Sequence, residues 1–195
     1  MINRFNDFDS VQAYGDFERL PKGGYVLKVM GASIEYYNGQ QTVKISCDVA
    51  EGEYTGYFAE SYKANTNENK KWACNYLLNV PADDGTEKDN WTKKRFKTVI
   101  NAFEDSNPGF HFDWNETKFK GLLIGGLFNL REYVGKNDGN VHESINLARL
   151  VPVEKIRSGN FKLPEDQKVK NNGTDLNPGF MSIPDSVESD GLPFN

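Results

Sequence analysis

Apolar and polar residues alternate along two early segments of the chain, and this period of two predicts β-strands. From residue 42 to residue 49 every second residue is apolar, and the residues between them are polar or charged. One face of this strand is therefore expected in a core and the other in water. A similar alternation covers residues 25–35, and Asn38-Gly39 between the two segments favours a hairpin turn of type I′.

Two later segments both have features of a strand. Residues 54–63 are rich in aromatic side chains, which fits a strand despite Gly56. After a loop rich in Asn and Lys, residues 72–80 carry apolar side chains at every second position until Pro81. We predict residues 54–63 as the third strand and residues 72–80 as an inserted strand.

A helix and a long hairpin are predicted in the second half of the chain. Within residues 96–103, large apolar residues recur at i, i+3, i+4 and i+7, which is the pattern of a helix packed on a sheet. Asn90 is its expected N-cap, and Asn-Pro-Gly at 107–109 ends it. Residues 120–156 contain two long runs around Asn-Asp-Gly-Asn at 137–140, which predicts two antiparallel strands joined by a tight turn.

The order of these elements predicts a mainly β fold. Three strands, a helix and two strands match a five-stranded Greek-key barrel of the OB-fold type, with one helix between strands 3 and 4. We divide the chain into an N-terminal arm (1–21), an OB-fold domain (22–163) and a flexible acidic tail (164–195). The arm is expected to pack on the domain or on a partner.

Composition limits the class of protein. The net charge of −5 argues against a protein that is basic throughout, but residues 164–195 alone hold six acidic and two basic side chains. No segment is apolar enough to span a bilayer, and the start of the chain lacks the apolar core of a signal peptide. With only Cys47 and Cys74, neither a disulfide framework nor a four-cysteine zinc site is expected. We therefore expect a cytoplasmic protein.

The usual signatures of enzymes are missing from the sequence. It has no phosphate-binding GxxxxGK[ST], no GxSxG and no HExxH motif, and its two histidines, His111 and His142, lack Cys or carboxylate companions at ligand spacing. Two carboxylate pairs, Asp113 with Glu116 and Glu132 with Glu143, resemble ordinary surface acids. We expect no enzyme activity, no cofactor and no metal site. A nuclease with scattered carboxylates is the enzymatic alternative.

Several short motifs resemble those of a family of bacteriophage and mobile-element proteins. These motifs are SNPG at 106–109, FDW at 112–114, KGLLIGGLF at 120–128 and EKIRSGNFKLP at 154–164. Proteins of this kind are usually grouped with phage single-stranded-DNA-binding proteins. The resemblance implies an OB-fold protein that acts in phage DNA replication or recombination, in the cytoplasm of the bacterial host.

The end of the chain is similar to the acidic tip of bacterial single-stranded-DNA-binding proteins. Those tips resemble DDDIPF, and here Asp190 precedes Leu192, Pro193 and Phe194. The resemblance implies that these four residues bind replication and repair proteins, since a mobile anion steers the encounter and a terminal ring anchors it. Asn195 is a departure from that pattern, because it moves the carboxylate one residue beyond the ring.

A single strand of DNA needs rings on which bases stack and cations along the backbone. In an OB barrel these lie on the outer face of strands 2 and 3 and on the loops 1–2 and 4–5. Core packing is the competing interpretation for the aromatic residues, and ordinary edge protection is the competing interpretation for the lysines. The candidate DNA-binding residues are Lys28, Tyr36, Tyr37, Lys44, Tyr57, Lys63, Lys70, Lys71, Trp72, Arg131, Lys136 and Arg149.

The predicted helix has cations in its first turns, where they oppose the helix dipole. These are Lys93, Lys94, Arg95 and Lys97. Our preferred interpretation is that the acidic residues of the preceding loop and first turn neutralise them. Those acids are Asp83, Asp84, Glu87 and Asp89.

The function that these patterns favour is non-sequence-specific binding of single-stranded DNA, with partners recruited through the C-terminal tip. Such binding should weaken as salt rises, because neutralising phosphates releases counterions. The alternative is a protein-interaction module on the same fold that binds a replication or host protein without direct contact to DNA. Strand edges that remain exposed would offer a route to a homo-oligomer.

Overall fold

One five-stranded antiparallel sheet organises the part of the chain that the structure, a computed structural model, describes: residues 3, 4, 6–10, 18–136 and 138–169. Its strands, in chain order, are β1 (Gly23–Tyr37), β2 (Gln40–Val49), β3 (Asn75–Asn79), β4 (Leu123–Val134) and β5 (Val141–Val151). Across the sheet the order is β3-β2-β1-β4-β5, so β1 lies at the centre. The prediction of a mainly β chain is confirmed.

Helices connect and cover the strands. They are α1 (Tyr57–Ala64), α2 (Glu87–Ser106) and α3 (Val153–Arg157), with a short 3-10 helix at Glu116–Phe119. As predicted, α2 lies between the third and fourth strands. Its N-cap is Thr86 and not Asn90, because the Thr86 hydroxyl accepts a hydrogen bond from the Asp89 N–H at 3.1 Å.

The predicted third strand over residues 54–63 is wrong, because most of that segment forms α1. The decisive contact comes from Asp48 of β2, whose buried carboxylate accepts hydrogen bonds from the N–H groups of Phe58 at 2.9 Å and Ala59 at 3.2 Å. These bonds satisfy N–H groups that a helix leaves unpaired in its first turn. The third strand is instead β3, within the segment 72–80 that the sequence predicts as an insertion.

The β1–β2 hairpin has the predicted turn. Asn38 has φ 50° and Gly39 has φ 80°, the two positive values that a type I′ turn requires. Further back in β1, the pairing with β2 shifts register between Val29 and Gly31, which leaves Met30 as a β-bulge. Because bulges bend the strand that contains them, β1 changes direction between its pairing with β4 and the remainder of its pairing with β2.

The core lies between the sheet and α2, as the apolar patterns predict. Phe103 of α2 and Phe119 of the 3-10 helix are both fully buried, with ring centroids 4.6 Å apart. The residues predicted to point inward from β2 and α2 are all buried: Val43, Ile45, Cys47, Val49, Phe96, Val99, Ile100 and Phe103. Burial of these side chains supplies most of the driving force for folding.

The two outermost strands approach each other. Cα atoms of β3 and β5 come within 8 Å, but in the described part of the chain no ladder of backbone hydrogen bonds joins these strands. The sheet is therefore curved but not closed. Residues 18–20 contact β5 and α1. Arg19 pairs with Glu143 of β5 at 3.7 Å, and the N–H of Leu20 donates to the Tyr57 hydroxyl of α1 at 3.1 Å.

Residues 165–169 lie along β4 where β1 no longer covers it. The pairing of β1 with β4 ends at Gly23 and Phe128. Beyond that point the N–H of Gln167 donates to the Leu130 carbonyl, and the N–H of Glu132 donates to the Gln167 carbonyl, both at 2.8 Å. These bonds form a short parallel bridge that extends the sheet.

Two adjacent glycines allow β4 to pack on both faces. A Cβ atom on Gly126 would lie 2.4 Å from the Leu27 side chain on the core side. A Cβ atom on Gly125 would lie 2.7 Å from the side chain of Ile156 in α3, on the opposite side, and 2.8 Å from the Val151 carbonyl oxygen. The two glycines therefore leave the space into which these side chains pack.

Gly125→Ala should lower the free energy of unfolding by about 1–3 kcal/mol, because a backbone oxygen cannot move aside as a side chain can. Gly31→Ala is the matched control in β1, since its Cβ would meet nothing within 4 Å. We expect that variant to match the wild type or to gain up to about 1 kcal/mol. Urea unfolding followed by circular dichroism measures both changes. Equal stability of the two variants would contradict the packing described for Gly125.

Candidate nucleic-acid interface

The face of β1, β2 and β3 that points away from the core is polar. We call it the polar face. Lys44 lies at its middle, directly opposite Ser33 of β1 and Leu77 of β3. Side chains hydrogen-bond across the same strands: the Ser46 hydroxyl donates to the Asn75 side-chain oxygen at 2.7 Å. The residues of this face are Lys28, Ser33, Glu35, Tyr37, Thr42, Lys44, Ser46, Asn75, Leu77 and Asn79.

Three side chains of the polar face form one hydrogen-bonded cluster. The Lys44 ammonium lies 2.9 Å from the Glu35 carboxylate, and the Tyr37 hydroxyl donates to the same carboxylate. The pKa of Glu35 is lowered, first by the hydrogen bond from Tyr37 and then by the one from Lys44. The pKa of Tyr37 is raised by the same bond to Glu35. Lys44 is thus already paired with an anion of this chain.

The two adjacent tyrosines at the hairpin both remain accessible. Tyr36 is 70% exposed and Tyr37 is 43% exposed. Neighbouring residues of a strand point to opposite faces, so the rings lie on the two sides of the hairpin. Tyr37 shares the polar face with Lys44. Lys28 is also exposed on this face, opposite Asp48 of β2.

A second group of candidate residues surrounds the loop between α1 and β3. Lys63 and Lys71 are exposed, and the Lys70 ammonium lies 4.7 Å from the centre of the Tyr62 ring. Trp72 is half-buried, and its indole N–H donates to the Cys47 carbonyl at 2.8 Å. This bond holds Trp72, at the end of the loop, beside β2.

Tyr57 lies on α1 and not on a strand. Its ring packs edge-on against Phe58, with centroids 5.1 Å apart, and against Tyr54 at 6.3 Å. Its hydroxyl accepts the hydrogen bond from Leu20. The ring and the hydroxyl are therefore engaged within the fold.

The third group lies on the β4–β5 hairpin, on the other side of β1 in the sheet. Arg131, Lys136 and Arg149 are all exposed. Arg131 is the residue of β4 that bridges to Gln167. The candidates on the polar face and those around the α1–β3 loop therefore lie on one side of β1 in the sheet, and those on the β4–β5 hairpin lie on the other. The tip residues Asp190, Leu192, Pro193 and Phe194 lie outside the described residues, as does Asn137 of the β4–β5 turn.

Two exposed tryptophans are missing from the residues that the sequence indicated. Trp91 on α2 is 57% exposed, and Trp114 is 78% exposed at a φ of 66°. The Trp114 ring lies nearly parallel to the ring of Phe96, with 6.0 Å between centroids and 9° between planes. The helical periodicity could have identified Trp91, since it lies off the buried stripe. Trp114 stands in the polar run Asp-Trp-Asn, which was a weaker signal.

Several reactive side chains among the described residues are buried or already paired. Burial raises the pKa of the Cys47 thiol to about 12, so that it stays protonated at neutral pH. Glu132 and Glu143 are direct cross-strand partners, but Glu132 accepts from the Val169 N–H at 3.0 Å and Glu143 pairs with Arg19. Within the described residues no group of three or more metal-ligating side chains comes together.

No protein-family model matches this chain, and no curated protein gives a significant match. The described helices do not include one with the length and apolar character needed to cross a bilayer. The geometry of the polar face is therefore the main evidence on function.

Replacing Tyr37 by Phe should raise the pKa of Glu35 toward its ordinary value of 4.5, because the largest cause of its lowering is the Tyr37 hydroxyl. Tyr36→Phe is the matched control, since Tyr36 is the adjacent residue and lies on the opposite side of the strand. Carbon-13 NMR titration of the Glu carboxyl groups measures both pKa values. A Glu35 pKa that is the same in the two variants would show that the cluster does not persist in solution.

Proposed function

We propose that this chain is an OB-fold protein of phage type that binds single-stranded DNA with little sequence preference, in the host cytoplasm. The strand order β3-β2-β1-β4-β5, with α2 between β3 and β4, is that of an OB barrel opened between its third and fifth strands. The observation that carries the proposal is the polar face, where a ring and a cation share one exposed surface.

The chemistry of the polar face suits a single strand. The exposed ring of Tyr37 offers a stacking surface for a base, which typically contributes about 1–3 kcal/mol per base. Lys44 lies beside it and can neutralise a phosphate. The lysines around the α1–β3 loop extend the cationic surface past the end of β2. Glu35 is the competitor, because a phosphate must take over the ammonium that this carboxylate now holds.

The competition between Glu35 and a phosphate gives two variants with opposite expected effects. Lys44→Gln should weaken binding to oligo-dT and reduce the slope of log K against log salt by about 0.7, since one phosphate contact is lost. Glu35→Gln should strengthen binding, because it frees Lys44. Fluorescence anisotropy of a labelled oligo-dT, measured at several salt concentrations, gives both quantities.

Matched controls come from α3, where Lys155→Gln and Glu154→Gln make the same charge changes at exposed positions that are not residues of the polar face. If the ion pair were purely structural, removing the charge of Lys44 or of Glu35 would lower stability by the same amount. Opposite changes in DNA affinity for the two variants would therefore separate a phosphate-binding role of Lys44 from a structural role. The proposal fails if wild-type protein does not bind oligo-dT at low salt. Magnesium-dependent cleavage of the oligonucleotide would instead favour the nuclease alternative.

A protein-interaction module is the second candidate function, and the end of the β4–β5 hairpin favours it. Val134 and Val141 are direct cross-strand partners that are 41% and 56% exposed, and Tyr133, on the opposite face of β4, is 46% exposed. Apolar side chains grouped on the surface in this way are typical of a contact with another protein. Under this alternative the chain would bind a replication or host protein without contacting DNA.

We expect removal of residues 184–195 to leave oligo-dT binding intact while partner capture is lost, because these residues carry the acidic tip. Phe194→Ala is the point variant that tests the anchoring ring without changing charge. Anisotropy measures DNA binding, and retention of replication proteins from host extract on immobilised protein measures recruitment. Equal retention by the wild type and both variants would remove the tip from the proposal.

A further inference from the structure

The cations of α2 are only partly neutralised by the nearby acids. Lys93 pairs with Asp83 and, at 3.0 Å, with Asp89. The carboxylate of Asp84 instead accepts hydrogen bonds from the N–H and the hydroxyl of Thr86, at 2.9 and 2.7 Å. The prediction that the acids neutralise this segment is confirmed for Lys93.

Lys94 and Lys97 remain available on the solvent face of the helix. Both are exposed, and among the described residues neither ammonium has a carboxylate within 4.0 Å. The Lys94 ammonium lies 5.2 Å from the centre of the Trp91 ring, which is itself 57% exposed. Residues 87–97 hold five basic and two acidic side chains, a net charge of +3 in a chain whose total is −5.

A second tryptophan lies against the same helix. Trp114 rests on Phe96 of α2 and keeps 78% of its surface exposed, at a positive φ that costs free energy for a residue other than glycine. A single exposed apolar side chain needs no explanation. Trp91 on α2 and Trp114 packed against the helix, together with two lysines that have no carboxylate partner among the described residues, have the chemistry that binds stacked bases and phosphates.

This surface and the polar face are both close to β3. β3 is the outermost strand on that side. Leu77 of β3 lies on the polar face opposite Lys44, whereas the next residue back, Tyr76, accepts a hydrogen bond from the Arg95 guanidinium of α2 at 3.0 Å. One strand of five residues therefore separates the two cationic surfaces.

We propose that the face of α2 formed by Trp91, Lys94 and Lys97, with Trp114 packed on Phe96 of the same helix, is a second contact for single-stranded DNA that continues past β3 from the polar face. This inference rests on the proposed function, because it continues the path of the same strand. An acidic peptide would suit the charge of this face equally well. Continuity with the polar face favours the nucleic acid.

The test uses oligo-dT of two lengths with the full chain. An OB fold covers about 4–16 nucleotides, so an oligonucleotide of about 8 should occupy the polar face alone, and one of about 30 should also reach α2. The variant Lys94→Gln/Lys97→Gln should bind the long probe about tenfold more weakly at 0.1 M salt, with a salt slope smaller by about 1.4. Its affinity for the short probe should be unchanged.

Two further variants separate charge from stacking and from general effects. Trp91→Ala should weaken binding of the long probe, and Trp91→Phe should restore part of it, because Phe keeps a face on which a base can stack. Lys155→Gln/Lys162→Gln changes the same charge at two other exposed lysines and should leave both probes unaffected. Thermal unfolding checks that all variants retain the wild-type fold.

The outcomes distinguish the two proposals. If the wild type binds both probes and the α2 variant binds them equally well, the second contact is refuted and the proposed function stands. Equal weakening for both lengths also refutes it, because α2 would then be the principal site. If the wild type binds neither probe, the proposed function fails. Binding of an oligo-glutamate peptide that the α2 variant loses would then assign this face to an acidic protein.

Discussion

Both edges of β1 are hydrogen-bonded, and this constraint links every other part of the structure. β2 pairs along most of one edge, β4 pairs along the first residues of the other, and the remaining strands attach only through these two. The bulge at Met30 bends β1, so that this one strand can pair with both β2 and β4. The polar face, the core side and the approach of β3 to β5 all follow from the path of this one strand.

The sequence predicted those parts of the fold that depend on neighbouring residues. The alternation in residues 42–49, the Asn38-Gly39 turn and the stripe of α2 are local signals, and each was confirmed. The segment at 54–63 was misread because aromatic residues favour strands in general. Its helix depends on the carboxylate of Asp48, ten residues before Phe58, and no local pattern reveals such a contact.

The candidate site shows the same division between local and long-range information. That at least one of Tyr36 and Tyr37 is exposed could be recognised, because adjacent residues of a strand point to opposite faces. The link between Lys44 and Glu35 could not, because it depends on the register between two strands. The expectation that nearby acids neutralise the cations of α2 considered only the total charge of the segment. In the structure, hydrogen-bond geometry decides which cation each acid reaches, and Asp84 is used by the N-cap residue Thr86.

The short bridge made by Gln167 affects where this chain can be shortened. Backbone groups along an unpaired strand edge attract other strands, and natural proteins commonly cover or interrupt such edges. Here residues 165–169 occupy the part of β4 that extends beyond β1. A version of the protein cut at residue 163 would expose that edge and would be prone to self-association. A cut after residue 169 keeps the edge covered, which makes it the safer boundary for crystallisation or for fusion to another domain.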